Sequence, residues 1–449
     1  MYSLEDAVII GITGRVGKTS VAYLTHEYLK SIGKKSILYS SAKVDSPCTN
    51  WLPDNGLEFS YKDERHVIQI LHEALAYEAE YIILECWEQS ILCDVFKRIP
   101  FDLKVLTKYF HTGNGHRGAE DVFNNKLHFF KDEEDAKCLM NIVNYDPLDK
   151  SQVARLIKEA NIADLVLMDS VRIPGSQSKN DYVNYFNTAD IYADNRASFE
   201  ANNVKYCLNS YKESATESKL NMNINGESIE VSSELISGYH IENILTTAAI
   251  LNEINAFDKD KFSEFISDPN LEVPGRIESV QWRDRTILID NLADFTLNAV
   301  RKFNNGKPVK AVIGYKVIES SFNESFRAAH ADRRVQDGLQ GWDREPQIIN
   351  ELADYAYITV GGLGRYTAED LTTVFANKTT IPHEVILNRK EAIKKALLDS
   401  EEGDIICILR RGSERIYLKD YYNVEFFTDR DLLDECIEEI EESEKETIE

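Results

Sequence analysis

The chemistry-bearing residues of this chain begin with Gly11-Ile-Thr-Gly14-Arg-Val-Gly17-Lys18-Thr19-Ser20. Glycines at these intervals let backbone N–H groups close around phosphate oxygens, and a helix opening directly behind them adds partial positive charge. Lys18 would bridge the β- and γ-phosphates of a nucleotide, and the Thr19 hydroxyl would be offered to Mg²⁺. Gly14, Gly17, Lys18, Thr19 and Ser20 are therefore nucleotide-binding candidates, with Lys18 also catalytic. Glu85 closes the apolar run Tyr81-Ile-Ile-Leu84. A carboxylate at that point stands on the carboxyl edge of a sheet, where open α/β sheets bind ligands, and can hold Mg²⁺ directly or through water. Alone, these residues describe a P-loop NTPase or kinase of unspecified substrate.

Such a loop needs a strand before it and a helix after it. Ala7–Ile10 reads as the strand and 18–31 as the helix. Short apolar runs then recur at Ser36–Ser40, Tyr81–Glu85, Leu103–Thr107, Leu139–Asn144 and Leu165–Asp169, with helical patterns between most of them. That alternation predicts a mainly parallel sheet covered by helices. Asn225-Gly226 between Leu220–Ile224 and Ser228–Val231 predicts a hairpin, and a helix is expected from about Ile241 to Ile254. Asp268-Pro269 and Pro274-Gly275 punctuate the chain, so a domain boundary is expected near 270, giving domains 1–270 and 271–449. Beyond it, Ile277–Trp282 and Thr286–Asp290 predict a second hairpin, and strands recur at Val312–Tyr315, Tyr355–Val360, Glu384–Leu387, Ile405–Leu409 and Val424–Phe427. Residues 316–342 lack periodicity and read as a functional loop or an insertion.

Taken together, the motifs resemble those of the Mur ligase family. Gly11–Ser20 is similar to its G-x-T-G-T-x-G-K-T-[TS] loop, and Ile83-Leu-Glu85 to the strand whose Glu binds Mg²⁺. Asp121-Val-Phe-Asn-Asn-Lys126-Leu-His-Phe-Phe130 resembles the helix bearing the family's carbamylated lysine, and Ser237-Gly-Tyr-His-Ile-Glu-Asn243 the helix start that cradles adenine. Val273-Pro-Gly-Arg276-Ile-Glu278 is close to the V-P-G-R-x-E hinge, and Asn388-Arg389-Lys-Glu-Ala-Ile393 with Gly403-Asp404 is similar to a late D-R-x-x-A-I … G-D pattern. The closest branch by these motifs is the enzyme adding the third amino acid to the muramyl peptide. The resemblance implies an α/β fold, with a P-loop central domain and a C-terminal Rossmann-like domain. It implies ATP and Mg²⁺, an acyl phosphate made on a substrate carboxylate, and attack by an amine to give an amide, ADP and phosphate. It further implies that Lys126, as a carbamate, is catalytic and holds a second Mg²⁺. Arg276 is implied to touch phosphates and act catalytically, and Asn243 and Asp290 to contact the nucleotide.

The chain also departs from that pattern. The P-loop begins at residue 11, so the family's UDP-gripping first domain is expected to be missing, as it is in folylpolyglutamate and poly-γ-glutamate synthases. The D-Y-A-H motif becomes Asp290-Asn-Leu-Ala293, and His240 stands at the first adenine-site asparagine. His111 and His116 lie near the position of a metal-binding histidine without a clean match. The D-N-P-R motif gives way to Thr359-Val-Gly-Gly-Leu-Gly-Arg365, where Arg365 can clamp a substrate carboxylate as a bidentate fork. Arg410-Arg-Gly-Ser-Glu414 replaces G-K-G-H-E. These changes imply substrates other than diaminopimelate and UDP-muramyl peptide. The expected pair is a small carboxylate or peptide and an amino acid or amine, in a natural-product or modified-peptide route. The alternatives are a non-catalytic nucleotide-binding member acting as a partner subunit, and an unrelated P-loop kinase or NTPase.

Composition bounds the rest. At 449 residues and a net charge of −25, the chain is large enough for two or three domains, and its negative surface argues against nucleic-acid or anionic-membrane partners. No apolar run reaches the ~20 residues of a membrane span, and no basic leader precedes the first strand, so a cytoplasmic protein is expected. Seven cysteines without a C-x-x-C pair predict reduced, buried thiols. The acidic run Asp434–Glu449 reads as a solvated helix end or frayed tail. Oligomeric state is not encoded in any feature read here.

Overall fold

The computed structural model describes residues 3–14, 16–47, 64–109, 119–131, 136–141, 155–160, 162, 164–169, 204–214, 217–316, 344–363, 366–419 and 423–448. The chain divides into two compact units, Met1–Leu271 and Glu272–Glu449.

Among the described residues, the first unit is built on one ten-stranded sheet. Its strands are β1 (Val8–Thr13), β2 (Ser36–Tyr39), β3 (Val44–Asp45), β4 (Tyr81–Glu85), β5 (Leu103–Leu106), β6 (Lys137–Asn141), β7 (Leu165–Asp169), β8 (Val204–Glu213), β9 (Ser218–Ile224) and β10 (Glu227–Ser233). Their order across the sheet is β10-β9-β8-β7-β6-β5-β1-β4-β2-β3. The pairs from β2 through β8 are parallel, and the flanking β3, β9 and β10 pair antiparallel. β1 leads through α1 (Lys18–Ser31) to β2 on one side, while its other neighbour is β5. The connections therefore diverge beside β1, and a crevice forms at the carboxyl ends of β2, β4, β1 and β5, the place where open α/β sheets hold ligands.

β1 and β4 read as continuous apolar runs because helices cover both faces of a parallel sheet. Ile9, Ile10, Ile12, Ile82, Ile83 and Leu84 are all essentially inaccessible. Three further helices belong to this unit: α2 (Glu64–Tyr77) precedes β4, α3 (Glu88–Leu92) follows it, and α4 (Ala119–Phe130) follows β5. α5 (Gly238–Glu253) is apolar nearly all round, the pattern of a helix buried on every side. It packs on α1. It starts at Gly238, earlier than the expected Ile241, because Ser237 takes φ 92° and turns the chain into the helix. α6 (Lys259–Ile266) closes the unit, capped by the Asp258 side chain accepting from the backbone N–H of Asp260 and Lys261.

The second unit holds a six-stranded sheet in the order β11-β12-β16-β13-β14-β15. These strands are β11 (Arg276–Trp282), β12 (Arg285–Asp290), β13 (Val309–Lys316), β14 (Tyr355–Gly362), β15 (His383–Val385) and β16 (Ile405–Leu409). β11 and β12 form the expected antiparallel hairpin, and the other pairs are parallel. Helices α7 (Ala293–Phe303), α8 (Arg344–Leu352), α9 (Ala368–Ala376) and α10 (Arg389–Leu398) connect them. A small hairpin of β17 (Ile416–Leu418) and β18 (Val424–Phe426) precedes the last helix, α11 (Asp429–Ile448). The α/β class expected from the alternation holds in both units.

The acidic C-terminal run is a helix end, exposed over 442–446 as expected, and its earlier turns are anchored. Leu432, Leu433, Cys436 and Ile440 form one buried stripe of α11. Glu435 and Glu439 face the basic side of α10, with Lys390 at 2.6 and 2.8 Å and Lys394 2.7 Å from Glu439. Arg283 forks onto Glu444, and Trp282 Nε1 donates to Glu441 at 3.2 Å. The lysines that meet Glu435 and Glu439 lie 45 residues or more away in sequence, so charge composition did not show this anchoring. The described thiols are free: Cys86, Cys138, Cys207, Cys407 and Cys436 are buried, whereas Cys93 is exposed. Cys48 lies outside the described residues, as do Arg365, His111, His116 and, apart from Lys316, the aperiodic segment 316–342.

Candidate active site

The glycine loop is shaped by what surrounds it. Gly17 has φ 89° and caps the start of α1, a left-handed conformation that glycine adopts without strain. A side chain there would also put its Cβ 2.5 Å from Asn243 Oδ1. At Gly14 a Cβ would fall 2.1 Å from Thr107 Oγ1 and 3.0 Å from the backbone nitrogen of Lys108. Thr107, directly after β5, donates to the carbonyl of Val16 at 2.7 Å, and Asn141 Nδ2 holds the Thr107 carbonyl at 2.8 Å. Three neighbouring strand ends thus press on the loop. Arg15 lies outside the described residues.

Lys18 donates to the Gly14 carbonyl at 2.9 Å and sits 5.1 Å from the centre of the Trp87 ring, a cation–π contact. Thr19 Oγ1 donates to Glu85 Oε1 at 2.8 Å. The other Glu85 oxygen accepts from Ser40 Oγ and from the Ser41 backbone N–H, both at 2.8 Å. Glu85 is 1% exposed, so this carboxylate is held in one orientation beside the Thr19 hydroxyl. A hydroxyl and a carboxylate side by side form the hard-oxygen donor set that Mg²⁺ takes with a nucleotide. Ser20 is buried in the first turn of α1.

Lys126, on α4, is fully buried. Its Nζ donates to Thr13 Oγ1 at 3.0 Å and to the Gly14 carbonyl at 3.4 Å, and it lies 3.5 Å from Glu88 Oε1. The four residues Glu85-Cys-Trp-Glu88 consequently meet Thr19, Lys18 and Lys126 in turn. Sequence reading found only the first of them. The acid at 88 and the indole at 87 were visible, but no local pattern ties them to lysines so distant in sequence.

Asn243 is 4% exposed in the first turns of α5, against Gly17. His240 is fully buried with its ring 4.4 Å from that of Tyr239. Between them, Glu242 accepts from Lys108 Nζ at 2.6 Å, a pair missed in the sequence. Burial pulls the Lys108 amine below the ordinary lysine value, and Glu242 opposes that pull. Among the described residues His26, Glu27 and Asp45 could hold a metal, but Lys30 and Lys43 lie 2.7 and 2.8 Å from Asp45 and already neutralise the cluster.

In the second unit, Arg276 opens β11 directly opposite Asp290 at the end of β12. Arg276 Nη1 donates to the Gly275 carbonyl at 2.9 Å. The Val273-Pro-Gly turn is closed by Glu278, which accepts from the Gly275 N–H at 2.9 Å and from Arg430 Nη1 at 3.0 Å. Gly275, at φ 63°, packs so tightly that a Cβ would sit 1.9 Å from the backbone nitrogen of Ser413. Asp290 is fully buried, with its carboxylate accepting from the Asn291 N–H at 2.7 Å and from Thr296 Oγ1 at 2.5 Å.

Burial pushes the Asp290 carboxyl up to about 6, against the lowering effect of Arg276 and these hydrogen bonds. The folded unit therefore holds this proton more tightly than the unfolded chain. The stability contributed is present below the ordinary carboxylate range and is lost as pH rises from about 4 to about 6. We expect wild type to lose about 2–3 kcal/mol across that window relative to Asp290→Asn. Denaturant midpoints of both proteins at pH 4 and pH 7 test this, and parallel curves would contradict it.

Residues 12–251 match the Mur ligase middle domain. UDP-N-acetylmuramoyl-L-alanyl-D-glutamate–2,6-diaminopimelate ligase 1 of Clostridium acetobutylicum is 23% identical over 452 residues, covering 96% of this chain and 78% of that one. Among solved structures, a pseudomurein peptide ligase type C from Methanothermus fervidus aligns with TM-score 0.59 and 14% identity, over 97% of this chain and 79% of that one. Folylpolyglutamate synthase from Thermotoga maritima aligns with TM-score 0.56 and 12% identity, over 90% of this chain and 86% of that one.

Proposed function

The chain belongs to the Mur ligase family, and from that premise we propose that it is an ATP-dependent carboxylate–amine ligase. The observation that carries this reading is the Thr19–Glu85 hydrogen bond, beside Lys18, at the carboxyl edge of the first sheet. Mg²⁺ bound with ATP would be held by the Thr19 hydroxyl and Glu85 and would draw charge from the phosphates. Lys18 would leave the Gly14 carbonyl and neutralise the γ-phosphoryl as it moves, which is chiefly electrostatic catalysis. Gly14, Gly17 and Ser20 would present backbone N–H groups to the phosphates, and Asn243 would face the nucleotide from α5. From the second unit, Arg276 and Asp290 would act on the nucleotide, and Arg365 would clamp the carboxylate of an amino-acid substrate.

In this reading the substrate carboxylate attacks the γ-phosphorus, and the bond to ADP breaks. The resulting acyl phosphate is attacked by an amine, and loss of phosphate leaves an amide. The substrates would be a small carboxylate or peptide and an amino acid or amine, outside standard peptidoglycan assembly. The altered motifs support that last point. Arg411, in the segment replacing G-K-G-H-E, is fully buried and donates to the Gly361 carbonyl at 2.8 Å, so it belongs to the core of its unit. Among the described residues no helix is long and apolar enough to cross a membrane. A cytoplasmic location fits the use of ATP.

The test is phosphate release from MgATP across pooled carboxylates and pooled amino acids, with mass spectrometry of each mixture. We expect phosphate only when both co-substrates are present, with a new mass equal to their sum minus water. Phosphate release independent of any amine would overturn the ligase. Tight nucleotide binding without turnover on any mixture would favour the non-catalytic partner subunit.

A further inference from the structure

Arg410 directly follows β16, the strand that lies between β12 and β13 in the second sheet. Its backbone N–H donates to the Asp290 carbonyl at 2.8 Å. It therefore stands at the carboxyl edge of that sheet, where open α/β sheets hold ligands. Its φ is 88°, a conformation that glycine adopts without strain and an L side chain does not. Arg410 also stands where G-K-G-H-E has its first glycine. Backbone strain of this kind gathers at ligand sites. The guanidinium is only half used. Its Nη2 lies 3.2 Å from Oε1 of Glu345, in the first turn of α8, against about 2.8 Å for a well-formed charge-assisted bond. Its Nε is buried and donates to no group among the described residues. Nε and Nη2 form the edge on which a guanidinium grips a carboxylate with two parallel bonds. Glu345, tethered to its helix, brings one oxygen to that edge and leaves the other donor unused. The two side chains are 26% and 15% exposed, so a solute can reach the pair.

We propose that Arg410 is a specificity-determining residue, and that it selects an amine substrate with an acidic side chain, a dicarboxylic amino acid such as glutamate or aspartate. The side-chain carboxylate of the substrate displaces Glu345 and accepts from both Nε and Nη2. Arg365, proposed above for an amino-acid carboxylate, takes the α-carboxylate. Glu345 is a place-holder that keeps the guanidinium paired until an acid with better geometry arrives. A neutral amide side chain brings no charge and turns N–H groups toward a donor-only fork, so glutamine and asparagine are rejected. The inference names the amine substrate of the proposed ligase and rests on that reading.

The experiment is calorimetric titration of the full chain, with MgADP present, using the L and D forms of glutamate, aspartate, glutamine and asparagine. We expect one of the acids to bind at least about tenfold more tightly than its amide. Arg410→Gly abolishes that preference, while its melting temperature equals or exceeds that of wild type, because glycine suits φ 88°. Glu345→Gln, which removes the competing charge, tightens binding of the acid about threefold or more. Equal affinity for acid and amide, or no binding of either acid, would overturn the proposal. So would a lowered melting temperature with unchanged ligand affinity in Arg410→Gly, the signature of a purely structural ion pair. Binding in the expected pattern without amide formation on any carboxylate would remove the ligase and keep the site. Amide formation with a neutral amino acid, unchanged in Arg410→Gly, would keep the ligase and remove the site.

Discussion

If the proposed function holds, replacing Lys18 with alanine lowers ATP-dependent amide formation by on the order of 10³-fold, while the protein stays folded. Lys18 is half-buried, and its contacts include the Gly14 carbonyl and the Trp87 ring. Losing both costs the folded state about 1 kcal/mol, because the carbonyl retains Lys126 as a donor. The catalytic loss is far larger because the γ-phosphoryl carries its charge through the transition state, and a fixed cation in a water-poor crevice stabilises that charge more than water does. Arginine at 18 does not rescue, since its planar fork cannot enter a loop shaped around a single ammonium. Steady-state phosphate release with a melting curve as control makes the measurement. Turnover within tenfold of wild type would remove Lys18 from the mechanism.

The second large effect is on stability. Asp429→Ala destabilises the protein by about 3–5 kcal/mol. Asp429 opens α11 and is completely buried, accepting from Arg389 Nε at 2.7 Å and Nη2 at 2.8 Å. Arg411 Nε lies 3.7 Å from the same carboxylate, and its guanidinium lies over the rings of Tyr417 and Phe427, 5.2 and 4.9 Å from their centres. Removing the acid leaves two buried guanidinium groups without their anion. The Arg389 Nη2 bond to the Leu409 carbonyl and the Arg411 bonds to the Gly361, Glu414 and Phe427 carbonyls remain, but none compensates a charge. Denaturant unfolding reads the loss. The double variant Arg389→Met/Asp429→Leu should recover much of it, because it removes both charges of the close pair. A loss under 1 kcal/mol for Asp429→Ala would show that water reaches the cluster.

The elements that position the site were legible because local rules govern them. Gly17 before Lys18 requires a turn and permits a helix start. Asn225-Gly226 between alternating runs requires a hairpin, and it closes β9 on β10. Glu85 at the end of an apolar run had to reach the edge of the sheet. The partners of these residues were not legible. Glu88 was one acid among 76 acidic residues, and Arg411 was noted only within the segment that replaces G-K-G-H-E. The acidic C-terminus read as a solvated helix end, which its last turns are, but the lysines of α10 that anchor its earlier turns were not legible. Lys126 was noticed only through the resemblance; its full burial and its bonds to Thr13 and Gly14 were not legible.

The sequence by itself determined the phosphate loop, the alternation that makes two α/β units, the strand-end position of Glu85 and the family, because each depends on residues close together in the chain. The tertiary structure decided which groups those residues meet. Lys126 lies 113 positions from Thr13, and Lys108 lies 134 positions from Glu242, yet each pair is within hydrogen-bond reach. Strand order brings such groups together. A fully buried lysine and a carboxylate between two guanidiniums have their protonation, orientation and energetic weight set by burial and by those neighbours. Neither burial nor neighbours can be read from spacing along the chain.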